Sequence, residues 1–173
     1  SERSVPLQAS TPLNPTGPNP QRPFGQHTGY APGTLRPSIS QAQMDSTVAG
    51  LYDAWKGAYL TQNPYEDDQY YVYYNGNGEA GEDAPDAVTT SESNGYGMLI
   101  TAIMAGHDPR AKVYFDGLLR FRKAHPSSMD PGLMAWQQRD DGTAIVDSLE
   151  YDEEGNAYGN DAATDGDLDM AYA

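Results

Sequence analysis

The stretch 96–105, YGMLITAIMA, gives a helix no hydrophilic face, because Met98, Leu99, Thr101, Ala102, Ile103 and Met104 point in every direction around its axis. Such a helix needs neighbours all round, so it predicts an interior position in an assembly of helices. The residues before it, TTSESNG, are polar and glycine-rich, and Ser91 reads as the cap. Just beyond, Asp108 reads as a second cap, with Pro109 at the first helical position. Val113, Tyr114, Leu118 and Phe121 then form the inward stripe of the next helix, and Arg120, Arg122 and Lys123 lie near its end, where the helix dipole favours positive charge.

The flanking segments are consistent with this. Ser38 or Ser40 can cap a helix whose apolar residues Met44, Val48, Leu51, Tyr52, Trp55 and Tyr59 recur every three or four positions, with Asn63 and Pro64 ending it. The run YEDDQYYVYY has strand propensity before a turn at Asn75, Gly76, Asn77 and Gly78. An exposed acidic loop is expected over 79–90, LMAWQQ reads as a strand or one helical turn, and 139–162 reads as a long loop with one small hairpin. In ATDGDLDMAYA, Thr164 and Asp165 resemble caps ahead of Leu168, Met170 and Ala171, so a helix opens there and the sequence stops inside it. Residues 1–38 hold prolines too closely spaced for a helix and read as an arm, which Phe24 and Tyr30 can pin or leave as a tail.

Charge and composition exclude several function classes. Ten Lys and Arg against 25 Asp and Glu give a net charge of -15, a poor match to nucleic-acid phosphates and a good one to a cationic partner. The absence of cysteine removes disulfide and thiolate chemistry. No apolar run approaches the ~20 residues needed to cross a bilayer. Neither a glycine-rich nucleotide loop nor an HExxH helix nor a nucleophile elbow is present, so no cofactor is implied.

Glu92, among Ser91, Ser93, Asn94, Gly95 and Gly97, has two readings. It is either an ordinary carboxylate at a helix N-terminus or a reactive group held by a helix beside glycines that admit a close neighbour. Asp165, Asp167 and Asp169 can likewise hold a sugar hydroxyl, share a proton, ligate a metal or face water. His27, His107 and His125 are scattered and do not make a zinc site. Glu150, Asp152, Glu154, Gly155 and Asp161 loosely match a calcium loop, leaving Asp152, Glu154 and Asp161 as weak metal candidates. Trp136, Tyr96 and the tyrosines at 70, 71, 73 and 74 offer stacking faces for sugar rings or core packing.

SESNGYGMLITAIMAG, LMAW and ATDGDLDMAYA, with a weaker match from LYDAWKGAYL, together resemble glycoside hydrolase family 8 across about 40–173. The family usually has SEG where this chain has Ser91, Glu92 and Ser93. The resemblance implies an all-α fold, an (α/α)6 barrel with short strands and long loops, of which 39–173 would be the N-terminal portion, roughly the first half. It implies inverting, endo-acting hydrolysis of a β-1,4-linked polysaccharide. Glu92 would be the general acid, Asp165 the residue that binds and distorts the sugar at the cleavage point, and Trp136 a donor-side stacking residue. The general base would come from the missing C-terminal half, so these residues alone should be inactive. MAGHD, VYFDGLLR and the acidity point to chitosan as substrate, with cellulose or mixed-linkage β-glucan as the alternative and xylan third. A non-catalytic polysaccharide-binding module is the reading from another class. A polymeric substrate implies a secreted protein, with no membrane or nucleic-acid partner.

Overall fold

The computed structural model describes residues 24–25, 31–74, 87–151 and 153–173. Of the arm expected over 1–38, residues 1–23 and 26–30, with His27 and Tyr30, lie outside the described residues, as do the turn at 75–78 and residues 79–86 of the expected acidic loop. Phe24 lies within them: its N–H donates to the Ile103 carbonyl at 2.9 Å, and its ring meets His107 edge-on at 6.2 Å.

Helix α1, Gln41–Tyr59, starts at Ser40 with a capping box: the Ser40 side chain accepts from the Gln43 N–H while the Gln43 side chain accepts from the Ser40 N–H. It ends earlier than Asn63 and Pro64 suggest, because the chain passes directly into strand β1, Leu60–Gln62, paired antiparallel with β2, Tyr70–Val72. Asn63 is instead buried in the connecting turn, bonded to Gln69 at 3.0 Å and to the Tyr65 N–H at 3.0 Å. The expected loop over 79–90 also gives way at its end to strand β3, Ala87–Thr90, where β-branched Val88, Thr89 and Thr90 suit a pleat. Thr89 is fully buried and donates to the Val72 carbonyl at 2.6 Å.

Helix α2, Ser91–Ile103, begins five residues before the apolar run, and its N-cap is Thr90 rather than Ser91. A 3₁₀ turn, Met104–Gly106, links it to α3, Ala111–Ala124. Pro109 lies in the turn before α3, where the Asp108 side chain accepts from the Arg110 N–H at 2.8 Å. LMAW is extended rather than helical, bridged through Met134 to Pro126 and through Ala135 to Ala162. It leads into β4, Gln137–Asp140, which pairs with β3 on one side and with β5, Ile145–Asp147, on the other. A second hairpin, β6 (Glu150–Tyr151) with β7 (Ala157–Gly159), precedes α4, Thr164–Tyr172. Ala163 caps α4 without a side-chain bond, so Thr164 and Asp165 belong to its first turn.

Tyr71, Val72, Met98, Leu118, Phe121, Met134, Ile145 and Met170 form the core between α2, α3, α4 and the strands. The described residues make a helix-rich partial arrangement of the (α/α) type, not a closed barrel. Its openness accounts for two departures from the expected burial. Helix α2 is covered on one side but leaves Tyr96 and Ile103 more than half exposed, and α1 buries Tyr52 while Val48, Leu51 and Tyr59 face outward.

Candidate active site

Two backbone bonds fix the start of α2. The Ser91 N–H, which has no acceptor inside its own helix, donates to the Trp136 carbonyl at 2.8 Å, and the Trp136 N–H donates to the Asp161 carbonyl at 3.0 Å. The stretch around Trp136 thus bridges the origin of α2 and the approach to α4. Glu92 is half-buried, and the Ser91 hydroxyl donates to its Oε2 at 3.2 Å.

Glycines bring α4 against that helix start. A methyl group at Gly166 would lie 2.7 Å from the Ser91 carbonyl carbon and 2.8 Å from the Glu92 nitrogen, while one at Gly95 would lie 2.8 Å from the Gly166 oxygen. The two backbones touch, and no side chain fits between them. Asp165 precedes this contact glycine at the start of α4 and is exposed to solvent. Asp167 turns the other way: its Oδ1 accepts from the Met134 N–H at 3.0 Å, and its Oδ2 is buried without a hydrogen-bond partner among the described residues. Tyr96, one turn beyond Glu92 on the same helix face, is 56% exposed.

The structure therefore gathers Glu92, Asp165, Trp136 and Tyr96, which are spread over 74 positions, into one neighbourhood. A partly exposed indole and phenol beside two carboxylates suit a polyhydroxylated ring, with apolar faces for stacking and oxygens for its hydroxyls. Other stacking candidates are corrected. Tyr71 is buried against Phe121 and Tyr70 is half-buried against Tyr114, so both are structural, leaving Tyr73 and Tyr74 partly exposed. Of the calcium candidates, Asp152 lies outside the described residues, Glu154 is exposed, and the Asp161 carbonyl is committed to Trp136. No group of three metal-capable side chains occurs among the described residues.

A polar cluster at the far end of α2 anchors α1. Asp108 Oδ2 accepts from the Tyr52 hydroxyl at 2.7 Å and from Lys56 Nζ at 2.6 Å, and Lys56 also reaches Asp53 at 3.2 Å. Burial works to raise the Asp108 pKa, but the bonds from Lys56, Tyr52 and the Arg110 N–H outweigh it and hold the carboxyl below its ordinary range. Burial and the same carboxylate push the Tyr52 phenol well above its usual value. Burial works to lower the Lys56 pKa, yet the bond to Asp108 raises it on balance.

Sequence reasoning placed glycines that admit a close neighbour beside Glu92 but did not identify Gly166 as that neighbour, and it missed the pairing of buried His125 with half-buried Asp147. Both contacts join positions far apart in the chain and leave no local pattern, although the glycine in ATDGD was a usable signal.

Comparison with known proteins adds independent observations. The profile of Glycosyl hydrolases family 8 matches residues 38–173. A Beta-glucanase from Niallia circulans is 44% identical over 155 residues, covering 89% of this chain and 32% of that protein. An Endoglucanase from Bacillus sp. (strain KSM-330) is 38% identical over 153 residues, covering 88% of this chain and 30% of that protein. The apo structure of a beta-1,3-1,4-glucanase from Paenibacillus sp.X4 matches with a TM-score of 0.69 and 42% identity, over 88% of this chain and 35% of that one. The chain spans about a third of the length of these relatives, less than the half expected from its sequence.

Proposed function

The chain belongs to Glycosyl hydrolases family 8, and from that premise we propose that it carries the acid-bearing part of an inverting endo-β-glucanase acting on β-1,4 bonds of mixed-linkage β-glucan or cellulose. The observation that supports this reading is the backbone contact of Gly166 with Ser91 and Glu92, beside the bond from the Ser91 N–H to the Trp136 carbonyl, which together bring the segments carrying Asp165, Glu92 and Trp136 into contact. Glu92, as the carboxylic acid, gives its proton to the glycosidic oxygen as the bond to the anomeric carbon breaks. Asp165 accepts hydrogen bonds from the sugar's hydroxyls at that point and favours its distorted form. Trp136 and Tyr96 stack against neighbouring rings.

Inversion needs a second carboxylate on the opposite ring face, about 6.5–9.5 Å from the acid, to take a proton from the attacking water. In this proposal the base belongs to the remaining length of the family's domain, which also closes the (α/α)6 barrel around 39–173. A polymer substrate lies outside the cell, so the protein acts as a secreted enzyme. The names of the relatives favour glucan over the chitosan suggested by the sequence. Chitosan remains the second reading on one observation, the net charge of -15, which attracts a polycation.

The test is release of reducing ends by the complete enzyme on mixed-linkage β-glucan, carboxymethylcellulose, chitosan and xylan in matched assays. The glucans are expected to be cut at least about tenfold faster than the other two, the scale one well-formed set of pocket contacts supplies. Fastest cleavage of chitosan would reverse the order of the two readings, and sugar binding without cleavage of any polymer would favour a binding module.

A further inference from the structure

His125 closes α3 and is buried, with 6% of its surface exposed. Its ring packs on Phe121 at 4.3 Å, and its Nδ1 lies 2.9 Å from Asp147 Oδ1 on β5. The carboxylate only accepts, so Nδ1 carries the hydrogen. The chain around this pair holds both sides of Trp136, and Asp147 itself takes part through the Gln138 amide. On the N-terminal side, the Ala135 N–H donates to the His125 carbonyl at 2.9 Å. The Gln138 amide spans the tryptophan, donating to the Ala135 carbonyl at 2.6 Å and to Asp147 Oδ1 at 3.4 Å. On the C-terminal side, Ser148 beside Asp147 holds Gln137 twice, through its N–H to the Gln137 carbonyl and its hydroxyl to Gln137 Oε1, each at 3.0 Å. Trp136 is the residue at the centre of this clamp, and its own carbonyl receives the Ser91 N–H that begins α2.

A buried histidine needing only satisfaction would be served by one acceptor. Here Asp147 Oδ1 also takes the Gln138 amide, while the main-chain bonds of His125 and Ser148 hold Ala135 and Gln137 on either side of Trp136. We infer that His125 and Asp147 are positioning residues: they set the Trp136 side chain for stacking and, through the Trp136 carbonyl, the orientation of Glu92. The functional half of this statement rests on the roles proposed above for Trp136 and Glu92. The geometric half does not.

The chain contains two tryptophans, so Trp55→Phe leaves Trp136 as its single tryptophan, whose emission is excited selectively at the red edge, where tyrosine does not absorb. In that background, His125→Ala and Asp147→Ala are expected to raise acrylamide quenching of Trp136 about twofold. His125→Asn, whose amide nitrogen occupies the place of Nδ1 and can donate to the same carboxylate, should quench like the parent. In the complete enzyme, His125→Ala should lower kcat/KM about tenfold or more through both a higher KM and a lower kcat, as expected when a binding surface and a reacting group are misplaced together. His125→Asn should stay within about threefold of the parent. If His125→Ala does not fold, Asp147→Ala, at a position 21% exposed, carries the same expectation. Parent-like quenching in a folded Ala variant would overturn the inference, and so would a His125→Asn enzyme as impaired as His125→Ala. If Glu92→Gln leaves hydrolysis intact, the catalytic reading fails while the quenching experiment still judges the clamp.

Discussion

The two sides of α2 are built to different tolerances. Toward α4 the helix meets its neighbour backbone to backbone, with Gly95 and Gly166 leaving no space for a single methyl group. Toward α1 it meets a groove of about 290 Å³ lined by Val48, Leu51, Tyr52, Trp55, Ile100, Ile103 and Met104, and the contact is held at one end by Asp108, Lys56 and Tyr52. The acid candidate sits on the tight side. A carboxylate that must meet a glycosidic oxygen tolerates little displacement, whereas a peripheral helix can be fastened by one polar knot and some apolar cover. Close packing is spent where position matters.

Gly166→Ala should break this contrast most severely. The new methyl group meets backbone atoms of Ser91 and Glu92, which cannot swing aside, so a loss of about 3 kcal/mol or more is expected in urea unfolding, at the upper end of overpacking costs. Asp108→Ala should come next, at about 1.5–3 kcal/mol, because it strips three bonds to a carboxylate and leaves the Lys56 ammonium, the Tyr52 hydroxyl and the Arg110 N–H without that acceptor. The same carboxylate gives a signed pH dependence. Its folded pKa is depressed below the ordinary 3.8, so its stabilisation is fully present above that value and is lost as pH falls through the depressed folded value. Asp108→Asn should therefore flatten part of the acid limb of stability against pH, and an unchanged limb would show that the knot contributes nothing there. Smallest should be Leu51→Ala, at about 0.5 kcal/mol or less, since the side chain is 64% exposed on the loose side. If Leu51→Ala cost as much as Gly166→Ala, the contrast between the two sides would not stand.

Helical periodicity made α1 and α3 legible, the apolar run revealed α2, and Thr164 and Asp165 ahead of Leu168, Met170 and Ala171 marked the opening of α4, but the junctions were not legible. Helix α1 ends at Tyr59 because β2 offers Leu60–Gln62 a partner, and a pairing made ten residues downstream cannot be read from Asn63 and Pro64. Thr90 rather than Ser91 caps α2 because β3 delivers Thr90 in extended conformation and Ser91 is spent on Trp136. Uniform hydrophobicity of α2 foretold cover on all sides, whereas Tyr96 and Ile103 remain exposed among the described residues. Glu92 and Asp165 stood out because each lies in an uncommon string of small, acidic and aromatic residues, and Trp136 as an aromatic face in the short segment LMAW. Their supports were less legible: the glycines beside Glu92 announced a close neighbour but not that it is Gly166, and His125 with Asp147 is a long-range pair of unremarkable residue types. Net charge drew the substrate reading toward chitosan, yet it reports a long-range field rather than the shape of a sugar site.

The central claim, that the tight side of α2 exists to hold Glu92 as an acid, is tested most directly by the steady-state hydrolysis rate of the complete enzyme carrying Glu92→Gln on mixed-linkage β-glucan. The amide preserves shape but has no acidic proton, so kcat should fall by about 10²–10⁴-fold, the usual contribution of a general acid. Turnover within a few fold of the parent would contradict the account.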